Sequence, residues 1–314
     1  MNQLQKDLSR PITCKRLTHS SREKLIINRE FGRTLASADL TSFDKVWDYT
    51  EGEMIKSKNN RSVSRIDLKY FLPENRDGTP EVGTNLRSFF LKKHSEPLGL
   101  TGKTDLWKIS EKLQGEGLRE FNNYCDFRNK GLATATPVAG GMRRTGSTLR
   151  SFLITMDFSP LYALEDIILR HPEKLESPIN QEKRKNILAA IARYARHMHK
   201  HAINQKDFNA THILVNDIDS PDPVIALFDL QHVDRKIINR FRWPIKALAE
   251  LNVSLPRSIF SEQDRFFLFC SYKGKTHLDL IDRFRYKCVV KKTEKIRRHT
   301  LKNNLAPKSN SLEQ

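Results

Sequence analysis

Two acidic sites lie within residues 197–235, each where an apolar run meets a loop. The first is Lys206-Asp207-Phe208-Asn209-Ala210-Thr211-His212, followed by Ile213-Leu214-Val215. The second is Phe228-Asp229-Leu230, which closes the run Val224-Ile225-Ala226-Leu227. Two carboxylates so placed can divide one task. One accepts the proton of an attacking hydroxyl. The other holds a divalent metal against phosphate oxygens. His212 stands five positions after Asp207, and neutral imidazole is also a metal ligand.

Other elements must position these groups. Leu86 to His94 has the aromatic and aliphatic content of a strand, with Lys92 and Lys93 on opposite faces. Glu51 to Lys56 and Ser62 to Leu68 read as paired strands about the turn Lys58-Asn59-Asn60. Residues 104–130 read as helical, with Leu106, Ile109 and Leu113 in a first part. A second part begins near Leu118, after Gly115 and Gly117. Thr134 to Ala139 and Ser147 to Met156 read as strands joined by a glycine-rich turn. That turn matches neither a Walker loop nor a dinucleotide fingerprint. Asn180 to Ala202 has the clearest helical period, with Ile187, Leu188, Ile191, Ala195 and Met198 on one stripe and Asn180 as N-cap. His197 and His201 have metal-ligand spacing but lack a third ligand, so they read as helix-end histidines. Three helices follow: one around Trp243 to Leu251, then Gln263–Tyr272, then Leu278–Val290.

The chain has 314 residues and a formal charge of +18. That balance favours a polyanionic partner such as an anionic membrane or a phosphorylated glycolipid. Charge alone also allows nucleic acid, but no recognition motif with interleaved aromatics is present. Four dispersed cysteines, without a Cys-x-x-Cys pair, suit a reducing compartment. No secretory signal or membrane span is apparent. Residues 1–40 read as a basic arm with one helical turn near Ser21 to Asn28. Residues 291–314 read as a disordered basic tail.

The acidic sites resemble the lipopolysaccharide core heptose kinases and the related Kdo kinases. The protein-kinase loop has His-Arg-Asp with Asn five positions on, then Asp-Phe-Gly. The heptose kinase loop reads roughly His-Arg-Asp-Cys-Tyr-x-x-His, then Asp-Leu-His-Arg. This chain has Gln205-Lys206-Asp207 through His212, then Asp229-Leu230-Gln231-His232, so it departs at Gln205, Lys206 and Gln231. Phe89-Phe90-Leu91-Lys92, Arg119-Glu120-Phe121, Ser151-Phe152-Leu153-Ile154-Thr155, Leu164-Glu165-Asp166 and Arg242-Trp243 continue the likeness from about Phe43 to Gly274.

The resemblance implies an α+β, two-lobed fold of protein-kinase type. Residues 41–157 would form a nucleotide-binding N-lobe with an antiparallel sheet and one main helix. Residues 158–290 would form a mostly helical, catalytic and acceptor-binding C-lobe. Asp207 would be the catalytic base, and His212 and Asp229 would hold Mg²⁺. Lys92, paired with Glu120 (or, failing that, Glu116), would anchor the ATP phosphates. Met156, Asp157 and Phe158 would form the hinge that reads adenine. The expected activity is ATP-dependent phosphorylation of an inner-core sugar hydroxyl, with a heptose as acceptor. It would take place at the cytoplasmic face of the inner membrane, with the protein held peripherally. A Kdo kinase and a nucleotide-binding pseudokinase or membrane-surface scaffold are the alternatives. Oligomeric state is not legible.

Overall fold

A computed structural model describes residues 3–58, 60–71, 84–98, 114–176, 178–235 and 242–302. The chain divides into two compact units. One comprises Arg10–Gly131 and Ala135–Phe158, the other Met1–Ser9, Leu132–Thr134 and Ser159–Gln314.

The first unit is built on a seven-stranded antiparallel sheet. Its strands are β1 (Cys14–His19), β2 (Glu23–Asn28), β3 (Glu53–Lys58), β4 (Arg61–Phe71), β5 (Thr84–Pro97), β6 (Pro137–Thr145) and β7 (Thr148–Met156). Their order is β1-β2-β6-β7-β5-β4-β3. Alternation along each strand divides the side chains between two faces. Leu25, Ile27, Ile66, Leu68, Phe89, Leu91, Phe152 and Ile154 form one apolar face. It packs with Phe31, Leu35, Phe43 and Val46, which come from a short 3-10 turn and two short helices, α2 (Gly32–Ser37) and α3 (Phe43–Trp47).

The opposite face receives α4 (Glu116–Asn129), whose Leu118, Phe121, Tyr124 and Phe127 are buried. The helix lies close against the strands because two positions lack a Cβ. A methyl group on Gly117 would stand 2.5 Å from the Phe152 backbone, and one on Gly140 would stand 2.5 Å from Phe121 Cβ. The expected helix at Leu106, Ile109 and Leu113 lies outside the described residues.

The second unit is mostly helical. It contains α1 (Gln3–Ser9), α5 (Leu164–Arg170), α6 (Glu173–Glu176), α7 (Gln181–Lys200), α8 (Arg242–Ser254), α9 (Glu262–Lys273) and α10 (Leu280–Lys302). Five short strands support the loops: β8 (Tyr162–Ala163), β9 (Asn204–Gln205), β10 (Ile213–Asn216), β11 (Val224–Leu227) and β12 (Val233–Asp234). They form the sheets β11-β10-β8 and β12-β9. Helix α7 buries Ile187, Leu188, Ile191, Ala195 and Met198, the stripe that its period predicts. Asn180 does not cap it by side chain; its amide donates instead to the Glu173 carbonyl at 3.0 Å.

Three sequence expectations need correction. Residues 1–40 are not a loose arm: β1 and β2 belong to the sheet, and Leu25, Ile27, Phe31 and Leu35 lie in its core. The segment near Ser21 to Asn28 is mainly strand, not a helical turn. Backbone pairing from Glu23↔Arg143 to Ile27↔Ala139 holds it, with only the short apolar run Leu25-Ile26-Ile27 to mark it within a polar segment. The basic tail is helical through Lys302. Its Thr293 and Arg297 are buried, continuing from Val289 at four-residue spacing, and Glu294 accepts from Arg257 at 2.8 Å. Thr and Arg supply this inner face in place of aliphatic residues, and the Arg stem packs while its head makes polar contacts. Residues 303–314 lie outside the described residues.

Deleting residues 291–314 should therefore cost stability, by about 2 kcal/mol or more, the scale of emptying one well-packed site. Urea denaturation followed by circular dichroism reads this. An unchanged midpoint would mean that this segment does not pack.

Candidate functional site

Strand register decides the environment of the two adjacent lysines on β5. Lys92 lies opposite Leu153 and Lys93 opposite Phe152, so they point to different faces. Lys93 reaches the carbonyls of Trp47 and Tyr49 at 2.6 and 2.8 Å. Burial lowers its pKa. Lys92 faces α4, where its Nζ meets both oxygens of Glu120 at 2.9 and 3.3 Å. The Glu120 side chain is 0% exposed and that of Lys92 13%. Tyr124, one turn later, donates its hydroxyl to Glu120 Oε1 at 3.2 Å. Glu116 does not join this pair; its Oε2 lies 3.2 Å from His94 Nδ1.

Met156 ends β7, and Asp157 and Phe158 follow it in the same unit. Met156 N–H donates to the Thr136 carbonyl at 2.9 Å, and Asp157 N–H to the Ser88 carbonyl at 2.9 Å. The Phe158 ring packs on Phe90, with centroids 5.1 Å apart.

Within the second unit, Asp207, His212 and Asp229 come together. The loop after β9 carries Asp207, and the pairing of β10 with β11 brings His212 and Asp229 to one end of that hairpin. His212 Nδ1 stands 2.9 Å from the Asp207 carbonyl oxygen. A carbonyl only accepts, so the proton is on Nδ1 and the lone pair of the neutral ring is on Nε2. That Nε2 lies 4.0 Å from Asp229 Oδ2. The gap is long for a hydrogen bond but less than twice the ~2.1 Å typical of a Mg²⁺–ligand distance. The backbone acceptor behind the imidazole is the arrangement that metal-ligating histidines use. These two side chains therefore fit a divalent cation.

Asp229 has φ 56°, a left-handed conformation that costs a non-glycine residue energy and tends to mark functional sites. Gln205 supports it: its side-chain amide donates to the Asp229 carbonyl at 2.8 Å, and the residue is 1% exposed. Read from sequence, Gln205 is only a departure from a family pattern. Its partner lies 24 positions away, and no local signal announces that contact. Lys206 makes a salt bridge to Asp234 at 3.1 Å. Near Asp207, burial raises the Glu250 pKa, Lys246 opposes the shift, and the Asp207 charge adds to it.

The His197 and His201 rings lie 4.7 Å apart. Among the described residues, the set of three His or carboxylate ligands that gathers is instead His94, Glu96 and Glu116. His199, between the helix-end histidines, braces the strand before Asp207. Its Nδ1 lies 3.0 Å from the Tyr272 hydroxyl and its Nε2 3.2 Å from Asn204 Oδ1.

The lipopolysaccharide kinase (Kdo/WaaP) family model matches residues 84–272. That is more than half of the chain, and it includes every site residue above. The chain belongs to the lipopolysaccharide kinase (Kdo/WaaP) family. It is also similar in fold to a solved structure described as WaaP in complex with acyl carrier protein, with 21% identity and a TM-score of 0.60. The likeness covers 86% of this chain and 97% of that one. No curated protein matches it. Family membership makes this chain a member of a phosphotransferase family, and the mixed α/β build with an antiparallel sheet agrees with the WaaP fold.

Two outcomes test the site's physical basis in this kinase-family chain. Glu120→Ala strands a largely buried ammonium and should cost about 3–5 kcal/mol, read by urea denaturation. A loss under ~1 kcal/mol would mean that the pair is solvated. For His199, burial lowers the pKa from the usual 6.5 to about 4, with the Asn204 contact opposing. Between these values the unfolded chain binds a proton that the folded chain refuses. Stability is therefore complete above pH 6.5 and falls as pH drops toward 4. Because the residue is only half-buried, about 1–2 kcal/mol of acid sensitivity is expected. His199→Gln should flatten that slope between pH 7.5 and 4.5; an unchanged slope would assign the sensitivity elsewhere.

Proposed function

We propose that the chain is an ATP-dependent kinase of protein-kinase fold that phosphorylates a sugar hydroxyl of the lipopolysaccharide inner core, with a heptose as acceptor. The observation that carries this reading is the His212–Asp229 pair, whose fixed tautomer turns a lone pair toward a carboxylate across a cation-sized gap. His212 and Asp229 would hold magnesium, which would supply positive charge to offset that of the nucleotide phosphates.

The protein's own groups do the rest. Lys92, oriented by Glu120, offers its ammonium to the α- and β-phosphates. Glu120 is held in turn by Tyr124, which fixes the carboxylate that the lysine meets. Asp207 accepts the proton of the acceptor hydroxyl. Its loop is anchored by the Ala210 N–H, which donates to Ser254 Oγ at 2.9 Å. Met156, Asp157 and Phe158 offer backbone groups to the adenine edge. A net charge of +18 suits an acceptor bearing phosphates and carboxylates, and an anionic inner-membrane surface. No helix among the described residues is long and apolar enough to cross a membrane.

The test is transfer of labelled phosphate from ATP to dephosphorylated lipopolysaccharide core, with the product position mapped. Product on a heptose supports the proposal, whereas product on Kdo assigns the other branch of the family. Asp207→Ala should lower turnover by ~10²–10⁴ and leave ATP affinity nearly intact. Asp229→Asn should abolish turnover at ordinary Mg²⁺, and His212→Asn should keep part of it with a raised Mg²⁺ requirement. Turnover above a tenth of wild type in Asp207→Ala would remove it as the base. An unchanged Mg²⁺ dependence in both other variants would remove the metal site.

A further inference from the structure

Helix α4 carries a second long-range contact beyond Glu120. Cys125 lies five residues later on the same helix, and its Sγ is 3.6 Å from Sγ of Cys14 on β1. The two residues are 111 positions apart in sequence, so the fold brings them together. Both are free thiols and both are half-buried. Cys14 lies on the end strand of the sheet, whose side chains are mostly exposed, so a small oxidant can reach it.

From this geometry we infer that Cys14 and Cys125 form a reversible disulfide under oxidation, a modification site that clamps α4 to the edge of the sheet. A disulfide has S–S near 2.05 Å and tolerates only a narrow range of Cβ separations. Sulfurs already 3.6 Å apart need a further approach of about 1.5 Å, within reach of side-chain rotation. The order of attack follows from where the two thiols lie. The contact with Cys125 lowers the Cys14 pKa, while burial opposes the shift. Cys125 is pushed up by the same bond and by burial. Cys14, on the mostly exposed edge strand, is the thiol that an oxidant reaches first and so the nucleophile, with Cys125 on the packed helix as the resolving thiol.

With hydrogen peroxide as oxidant, the Cys14 thiolate attacks one peroxide oxygen. The O–O bond breaks, leaving a sulfenic acid and hydroxide, which takes a proton to become water. Cys125 sulfur then attacks the sulfenic sulfur. The S–S bond forms, and the hydroxide displaced departs with the Cys125 proton as a second water. Two thiols lose two electrons in total, and peroxide is reduced to two waters. A dithiol reductant reverses the reaction by exchange. The bond would tie α4 to β1 about one and a half turns from Glu120, restricting the helix that orients Lys92.

The test uses the full chain, treated with hydrogen peroxide and then quenched. The folded protein should fall from four titratable thiols to two, and non-reducing digestion should yield one peptide pair joining Cys14 to Cys125. Dithiothreitol should restore all four. Cys14→Ser and Cys125→Ser should each lack the linked pair. In Cys125→Ser, dimedone should trap a sulfenic acid at Cys14. The thermal midpoint of the oxidised wild type should rise by several degrees and return on reduction. Retention of four thiols, a link that uses Cys270 or Cys288, or equal thiol loss in Cys125→Ser would overturn the inference. So would a fall in the midpoint on oxidation, since the pair would then close only by distorting the fold.

Discussion

The buried carboxylate of Glu120 is the constraint on which the first unit depends. An ionised side chain wholly out of water is costly unless a counter-charge and hydrogen bonds meet it. Lys92 and Tyr124 meet it here. That contact requires α4 to lie close against β5 to β7 at one height. Gly117 and Gly140 allow the approach, because side chains there would collide with Phe152 and Phe121. The apolar residues of α4 then pack where the ion pair requires them. Hydrophobic burial supplies most of the stabilising free energy, while the ion pair selects one position of the helix among those that burial would accept.

The second unit reaches its precision by a different route, through backbone hydrogen bonds. His212 is oriented by the Asp207 carbonyl, and Asp229 keeps a left-handed backbone supported by Gln205. The Phe228 N–H closes the same corner by donating to the His212 carbonyl at 3.2 Å. Carbonyl acceptors carry no net charge, so they orient these side chains without adding charge to the corner. A neutral amide at Gln205 suits that position. It bonds the Asp229 carbonyl without bringing another charge beside the two acidic residues.

Gln205 also changes how departures from a family pattern should be weighed. By comparison of motifs, Gln205 and Lys206 look like losses. In the fold, Gln205 is buried and bonded to Asp229, and Lys206 is paired with Asp234. Each side chain thus holds a neighbouring part of the loop in place.

The sequence by itself determined the elements whose signal is local. The apolar stripe of α7, the strands flanking His212 and Asp229, and the alternation that separates Lys92 from Lys93 follow from periods of 3.6 and 2 residues. The order of short motifs was sufficient to indicate the kinase family. Tertiary structure decided whatever depends on a distant partner. The strands β1 and β2 look like a polar arm until β6 pairs with β2 and β1 adds to its outer side. The last turns of α10 look like a solvated tail until Thr293 and Arg297 are buried. The choice of Glu120 over Glu116 as partner of Lys92, the support that Gln205 gives Asp229, and the meeting of Cys14 with Cys125 all join residues far apart in the chain. A polar side chain carries no periodic mark of what it will bond to, because its partner is set by where the backbone returns, and only the folded chain determines that.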